Sequence, residues 1–438
     1  MSSMRVLLIV ADALRADHLG TYGYHRQTSP NLDNLAAQGV RFSSFFAPNI
    51  PTEPAHTTMF SGQHAARHGV MVHKQPSAVP RPGTPWLPSV LKAGGVRTVA
   101  FDNLADSKAW FGQGWSEYYN LRHGKALLDA AEVNAELLPW LARNTEGPWF
   151  AFVHYWDTHS PYLPPETYRF RHYEGNPHDG ATDGIERWQA EPSYPFAYRW
   201  QVRHYGPFRD LDFVRGLYDA EISYLDDQLS RVFSVLFEGS DDFVVIFTAD
   251  HGEVMYSRPG FFDHAGLYDD TVHVPLVMAG LGVPKGVAVS GIYQHTDLAP
   301  TVLARFGLTT PSLMTGRDLV EVAVDAPDAP GAEAVYLSEG TWEVKWGIRT
   351  HDWKLVKVID PGVHRRNEDE LFDLSADPAE SINVVGSHPE VVDRLELSLR
   401  RAWEELLASQ PDPLRMQSLQ GVPAQAWVDA AAGEHPGQ

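Results

Sequence analysis

The sequence predicts an α/β fold: a doubly wound, mostly parallel sheet sandwiched by helices, followed by a small C-terminal α+β subdomain. Three observations predict it. Short apolar runs, continuous rather than alternating, recur along the chain, as do strands buried on both faces. Stretches with helical spacing separate them. Polar residues capable of chemistry follow several runs directly, as at the carboxyl ends of strands in open α/β sheets.

Arg5–Val10 (RVLLIV) reads as the first buried strand, and Pro30–Gly39 as a short helix ended by glycine. Val96–Phe101, Pro148–His154 and Phe243–Thr248 are further strands. Asp129–Arg143 and Phe213–Phe237 carry helical spacing and are expected to cover the sheet. These elements assign residues 1–329 to the main domain. Residues 168–212 are rich in Tyr, Trp, Arg, His, Pro and Gly without clear period. This segment reads as an insertion or lid near the site mouth, with a surface excursion or an oligomer contact as alternatives. Ala334–Leu337, Lys345–Thr350 and Trp353–Val358, then the helical Pro389–Leu407, give residues 330–408 a small antiparallel sheet with one helix. Residues 409–438 are expected to be an extended tail, mobile or wrapped on a neighbour, through which a homo-oligomer would form.

Composition limits the function. The chain of 438 residues has 43% hydrophobic and 21% charged residues, an ordinary globular balance. A net charge of -21 argues against sequence-independent binding to nucleic acid polymers or anionic membrane. An anionic substrate would have to be drawn by a bound metal and a few local cations. The absence of cysteine excludes disulfides, zinc thiolates and a cysteine nucleophile. The apolar run Val6–Val10 is short for a secretory signal, and no stretch approaches a membrane span. The expectation is a soluble, cytoplasmic protein.

Asp12 directly follows the first strand, where a carboxylate is costly unless a cation meets it. Asp250 and His251 follow another strand in TADHGE and can present one oxygen and one nitrogen to the same ion. Thr52 opens a helical stretch in PTEPAHTT, where a metal contact would activate its hydroxyl. Asp157 and His159 lie in HYWDTHSPY, and His264 in FFDHAGLYDD. His159 suits a substrate oxygen or a leaving group, and Asp157, His159 and His264 are candidates for a second metal. His154 reads as a core histidine. Singly, each has a plain alternative: a turn, a helix cap or a loop histidine. Together they place oxygen and nitrogen ligands on one sheet edge.

The opening VADALRADHLGTYGY with TSPNLDNLAAQGVRFSSFFA, then PTEPAHTTMFSGQHAARHGV, HYWDTHSPYLPP, FTADHGE, DHAGLYDDTVHVPLV, HTDLAPTVL and LFDLSADPAESINVV, resembles the sulfatase-like branch of the alkaline phosphatase superfamily. The resemblance spans about residues 4 to 405. It implies that Asp12, Asp250 and His251 ligate a divalent metal with the nucleophile Thr52, and that His159 and His264 flank the transferred group. Departures from the family pattern bear on the chemistry. Sulfatases use a formylglycine made from cysteine or serine, and threonine cannot yield that aldehyde. His56 stands for the usual arginine, and FDNLADSK, offering Asn103, replaces the lysine-bearing segment. His56 and Asn103 are therefore the substrate-binding candidates.

A plain threonine resembles the phospho-transferring members. The expected activity is metal-dependent hydrolysis of small-molecule phosphate esters, diester or monoester, extending to phosphonate monoesters, through a phosphothreonine at Thr52. Alternatives are a sulfuric ester hydrolase that uses Thr52 without formylglycine, and an inactive binding homologue. The ligand set fits Zn2+ or Mn2+ better than Ca2+ because of the imidazole. One firm site and a weaker second are expected, since Asp157 and His159 are only two positions apart.

Overall fold

The computed structural model describes residues 4–121, 128–180, 184–239, 242–256, 258 and 260–433. The strands are β1 (Arg5–Ala11), β2 (Val40–Phe46), β3 (Asn49–Ile50), β4 (Arg97–Asp102), β5 (Glu117–Asn120), β6 (Trp149–Tyr155), β7 (Phe243–Ala249), β8 (Leu276–Gly280), β9 (Val287–Gln294), β10 (Val335–Glu339), β11 (Val344–Arg349), β12 (Trp353–Asp360) and β13 (Glu370–Asp373). Eight form the main sheet, in the order β5-β4-β6-β1-β7-β8-β2-β9. The run from β5 to β7 is parallel, β8 is antiparallel to both neighbours, and β2 and β9 are parallel.

Every residue of β1, β6 and β7 is buried, as their unbroken apolar runs require. Full burial of each large aliphatic side chain there contributes about 1.5–3 kcal/mol. The helices Ala130–Arg143 and Leu211–Gly239 pack together over one face of the sheet. Asp129 caps the first, accepting from the backbone N–H of Glu132. Register fixes where the polar residues emerge. Ala11 pairs with Tyr155 on one side and Ala249 on the other, so Asp12, the 156–159 turn and Asp250 all leave the sheet at one level.

The second sheet, β13-β12-β11-β10-β3, borrows its last strand from the main domain. β3 lies parallel to β10, and Asn49 holds the junction: its amide donates to Ser338 Oγ at 2.7 Å, and its carbonyl accepts from Thr58 and the Ala65 backbone, both at 2.9 Å. The helix Pro389–Leu407 lays Val391, Leu395 and Leu399 on this sheet against Ile348, Leu355 and Leu371.

The last segment is not an extended tail. Pro413–Gln420 and Pro423–Gly433 are helices, and Leu414, Val422, Ala424 and Val428 join a buried cluster with Trp342 and Trp403. Asp412 caps the first by accepting from the backbone N–H groups of Leu414 and Arg415, with Pro413 in its first turn. Enough apolar surface lies beneath these short helices to hold them folded. Within residues 168–212, Tyr194–Trp200 is a helix that packs against Pro423–Gly433. Among the described residues, no helix is long and apolar enough to cross a membrane.

Candidate active site

Asp12 follows β1, and its backbone N–H donates to Tyr155 O at 2.9 Å, which ties it to the end of β6. Asp250 follows β7. Its Oδ1 accepts from the backbone N–H groups of Ala13 (3.1 Å) and His251 (2.8 Å), which turns Oδ2 towards Asp12 and His251. Ligand atoms of Asp12, Asp250 and His251 all lie within 4.8 Å of one another, and all three residues are fully buried. Thr52 opens the helix Thr52–Ser61, with its Oγ1 3.3 Å from His251 Nε2. The four residues from distant stretches thus meet at one point. Gly252 lets their loop close: a Cβ there would lie 2.1 Å from Asp270 O.

Burial dominates the electrostatics. It raises the Asp12 carboxyl, and it pushes Asp250 up to about 7 with help from Asp12. Burial also pushes His251 down to about 4. The tautomer of His251 is fixed, because Nδ1 faces Gly252 O at 2.9 Å and a carbonyl can only accept; Nε2 keeps its lone pair. Asp12 Oδ1 and Asp250 Oδ2 are buried without hydrogen-bond partners. Two orphaned carboxylate oxygens and one imidazole lone pair converging with a hydroxyl form a donor set suited to a divalent cation.

Two further groupings adjoin this one. Behind it, His56 and His154 converge on Asp250, again within 4.8 Å, with their rings 4.7 Å apart. His154 Nε2 is 3.2 Å from Asp12 Oδ2, so this histidine belongs to the site rather than to an inert core. Its place in an apolar strand concealed that. His56 is fully buried, and its Nδ1–H donates to Thr52 O one helical turn back at 2.9 Å. It lies beneath the threonine instead of reaching a substrate. Beside the first grouping, Glu253, Asp263 and His264 form another three-residue set, and both Glu253 oxygens lack hydrogen-bond partners. The second set expected from Asp157, His159 and His264 is not gathered. Thr158, between the first two, sits at φ 86, its backbone N–H donating to Glu221 at 3.0 Å and its hydroxyl to Asp12 O. The turn sends Asp157 towards Asp129, Glu132 and the backbone of Ala130. His159 instead stays with His264, their rings 5.3 Å apart.

A family profile described as Sulfatase matches residues 5–308, more than half of the chain. The chain belongs to the sulfatase family. Membership makes it an ester hydrolase, in a family whose members use divalent metals. A second profile, N-sulphoglucosamine sulphohydrolase, C-terminal, matches residues 258–421. "Uncharacterized sulfatase YidJ" of Escherichia coli (strain K12) is 24% identical, the alignment covering 88% of this chain and 84% of that protein. The fold is shared with the phosphonate monoester hydrolase of Agrobacterium radiobacter (TM-score 0.71, 22% identity, 91% of this chain and 96% of that one). It is shared also with a structure described as BT4656 in complex with its substrate D-glucosamine-2-N,6-O-disulfate (TM-score 0.73, 18% identity, 94% and 99%).

In this sulfatase-family chain, Thr52 opens onto a chamber of about 80 Å3 whose walls include Glu53, His73, Asn103, Trp156 and His159. Asn103 is thus at the chamber, its side-chain oxygen accepting from the Trp156 indole at 3.0 Å. His159 donates from Nδ1 to Ser160 O at 2.6 Å, so its Nε2 is an acceptor, and burial lowers it to about 4. Sequence reasoning missed His73, which comes from a loop with no strand before it. It also missed Glu253, whose carboxyl, two residues past Asp-His in the same loop, was within reach of the same argument.

Proposed function

We propose that this chain hydrolyses small-molecule phosphate esters through a covalent phosphothreonine at Thr52. The observation that carries the reading is the 3.3 Å approach of Thr52 Oγ1 to His251 Nε2, at the rim of the Asp12–Asp250–His251 grouping with its two orphaned carboxylate oxygens. A divalent cation held there would lower the hydroxyl pKa and offset charge on the transferred group. Zn2+ or Mn2+ fits best, because His154 as well as His251 brings nitrogen to the carboxylates.

The chain's own residues do the rest. The start of the Thr52 helix lies at the chamber wall, where the positive end of its dipole favours an anionic group. Thr52 Oγ1 forms a bond to phosphorus as the bond to the leaving oxygen breaks. His159, set to accept at Nε2, takes the hydroxyl proton and returns it to the leaving oxygen. Water then attacks phosphorus, free phosphate departs, and the threonine recovers its hydroxyl hydrogen. His264 acts as a hydrogen-bonding partner of the transferred group. Burial and Lys74 push it down to about 3, so it takes part as the neutral imidazole.

Sulfuric ester hydrolysis by the same threonine is the second reading, favoured by the sulfatase and sulphohydrolase descriptions of the matching profiles. Rates on p-nitrophenyl phosphate, bis-p-nitrophenyl phosphate and p-nitrophenyl sulfate separate the two. Thr52→Ala should abolish turnover while keeping the metal, and acid-quenched protein should carry a phosphoryl group on the Thr52 peptide. A preference for sulfate by orders of magnitude would reject the first reading. Full activity in Thr52→Ala would reject both.

A further inference from the structure

The Thr52 chamber opens against a second, larger cavity of about 480 Å3, and the two share His73, Lys74, His159 and Trp200 as walls. A ligand whose transferred group sits beside Thr52 therefore places the rest of itself in the larger space. Two features of that space bear on what it would hold. The first is a concentration of ring faces. Phe196 stacks on Trp200 at 6.4 Å with planes 8° apart, and Trp342 meets Trp427 edge-on at 5.8 Å. These rings come from three separate parts of the chain: the insertion helix, the C-terminal sheet region and the last helix. The Trp342 indole N–H is also buried without a partner, leaving a donor at the wall.

The second feature is charge. On a chain of net charge -21, the described residues that line the cavity bring Lys74, Arg199 and Arg203 and, among carboxyls, Asp263. Lys74 Nζ stands 5.9 Å from the centres of both the Trp200 and Trp427 rings, placing a cation between the aromatic walls. An apolar leaving group would gain nothing from three cations, and a small anion would gain nothing from four rings.

We propose that the larger cavity is the leaving-group subsite and that it selects a six-membered ring bearing a second anionic group. This inference rests on the ester-hydrolase reading with Thr52 at the reacting centre. Planar ring faces stack on an aryl ring or on the apolar face of a pyranose, and the guanidinium groups at the mouth pair with the additional anion.

Two substrate pairs test it, with the transferred group that the enzyme prefers. They are phenyl against 4-carboxyphenyl esters, and methyl glucoside against methyl glucuronide esters at the same hydroxyl. The anionic member of at least one pair should have a kcat/KM higher by about tenfold or more, equivalent to about 1.4 kcal/mol. Whichever pair shows the larger ratio identifies the ring type. In R199Q/R203Q that ratio should fall towards one, mainly through KM. Binding is read separately: 4-carboxyphenyl phosphate should quench the tryptophan fluorescence of Thr52→Ala protein, and less so in Thr52→Ala/Trp427→Phe. Turnover of all four esters with ratios near one, or ratios unchanged in R199Q/R203Q, would overturn the subsite proposal alone. No turnover of any ester by metal-loaded protein would overturn the ester-hydrolase reading and the subsite with it.

Discussion

Asp250→Asn separates what the carboxylate would do for a metal, in the proposed role, from what it costs the metal-free fold. Asp250 Oδ1 accepts two backbone hydrogen bonds, and the amide oxygen of the variant can keep both. Oδ2 has no hydrogen-bond partner, with His251 Nε2 at 3.5 Å and His56 Nδ1 at 3.7 Å. Without a cation, burial and then Asp12 raise this carboxyl from 3.8 to about 7. The native state thus holds a proton that the unfolded chain releases, and the native state is the one penalised as pH rises across that window. At 1.36 kcal/mol per pH unit, the loss amounts to about 4 kcal/mol, complete above pH about 7. The variant has no charge to suppress and escapes the loss. In urea denaturation of chelator-treated proteins, followed by tryptophan fluorescence, Asp250→Asn should gain about 3 kcal/mol relative to wild type on moving from pH about 4.5 to about 8, since the first part of the loss is already incurred at the lower pH. Added Zn2+ should then stabilise wild type at the higher pH and leave the variant unmoved. A stability difference between the two proteins that is the same at both pH values would refute the electrostatic account. Stoichiometric zinc in the variant would refute the ligand assignment.

Three other outcomes are expected. Gly252→Ala forces a methyl group to within 2.1 Å of Asp270 O, so the Asp-His loop must shift; titration calorimetry should show metal affinity lower by about 10- to 100-fold. Chelation should abolish turnover and Zn2+ or Mn2+ restore it, with apparent metal affinity rising as pH increases through about 7, because Asp250 must release its proton first. Asp219→Ala removes a fully buried carboxylate that meets His18 Nδ1 at 2.7 Å and Arg26 Nη1 at 2.5 Å, and denaturation should show a loss of about 3–5 kcal/mol.

The primary grouping was legible because its members stand beside the least ambiguous signals in the chain. Arg5–Ala11 and Phe243–Ala249 are unbroken apolar runs, and residues just past such strands in one parallel sheet emerge on one edge. β2 and β9 carry mixed patterns with partly exposed positions, and β8, although an apolar run, has no periodic mark of its antiparallel direction. His56 was misplaced although its spacing was informative: four residues after Thr52 in a helix, it must lie beneath the threonine rather than beside it. Asp157 and His159 were both candidates for a second metal, with their spacing of two counting against it, and a turn with a left-handed residue between them does send the two side chains apart. Residues 409–433 were misread from composition, although Asp412-Pro413 is a helix-start signal in its own right; residues 434–438 lie outside the described residues.

The pairing of β3 with β10 carries one more consequence. Asn49 and Ile50, clasped by Ser338 and Glu339, end two positions ahead of Thr52, so the proposed nucleophile is moored to a sheet made almost wholly by the far end of the chain. The C-terminal unit is therefore no detachable appendage. Exchanging it for a relative's would alter the anchorage of the threonine along with the outer walls of the cleft. Efforts to retarget this enzyme by swapping modules would disturb reactivity and selectivity together, whereas single side-chain changes at the aromatic walls leave that mooring in place.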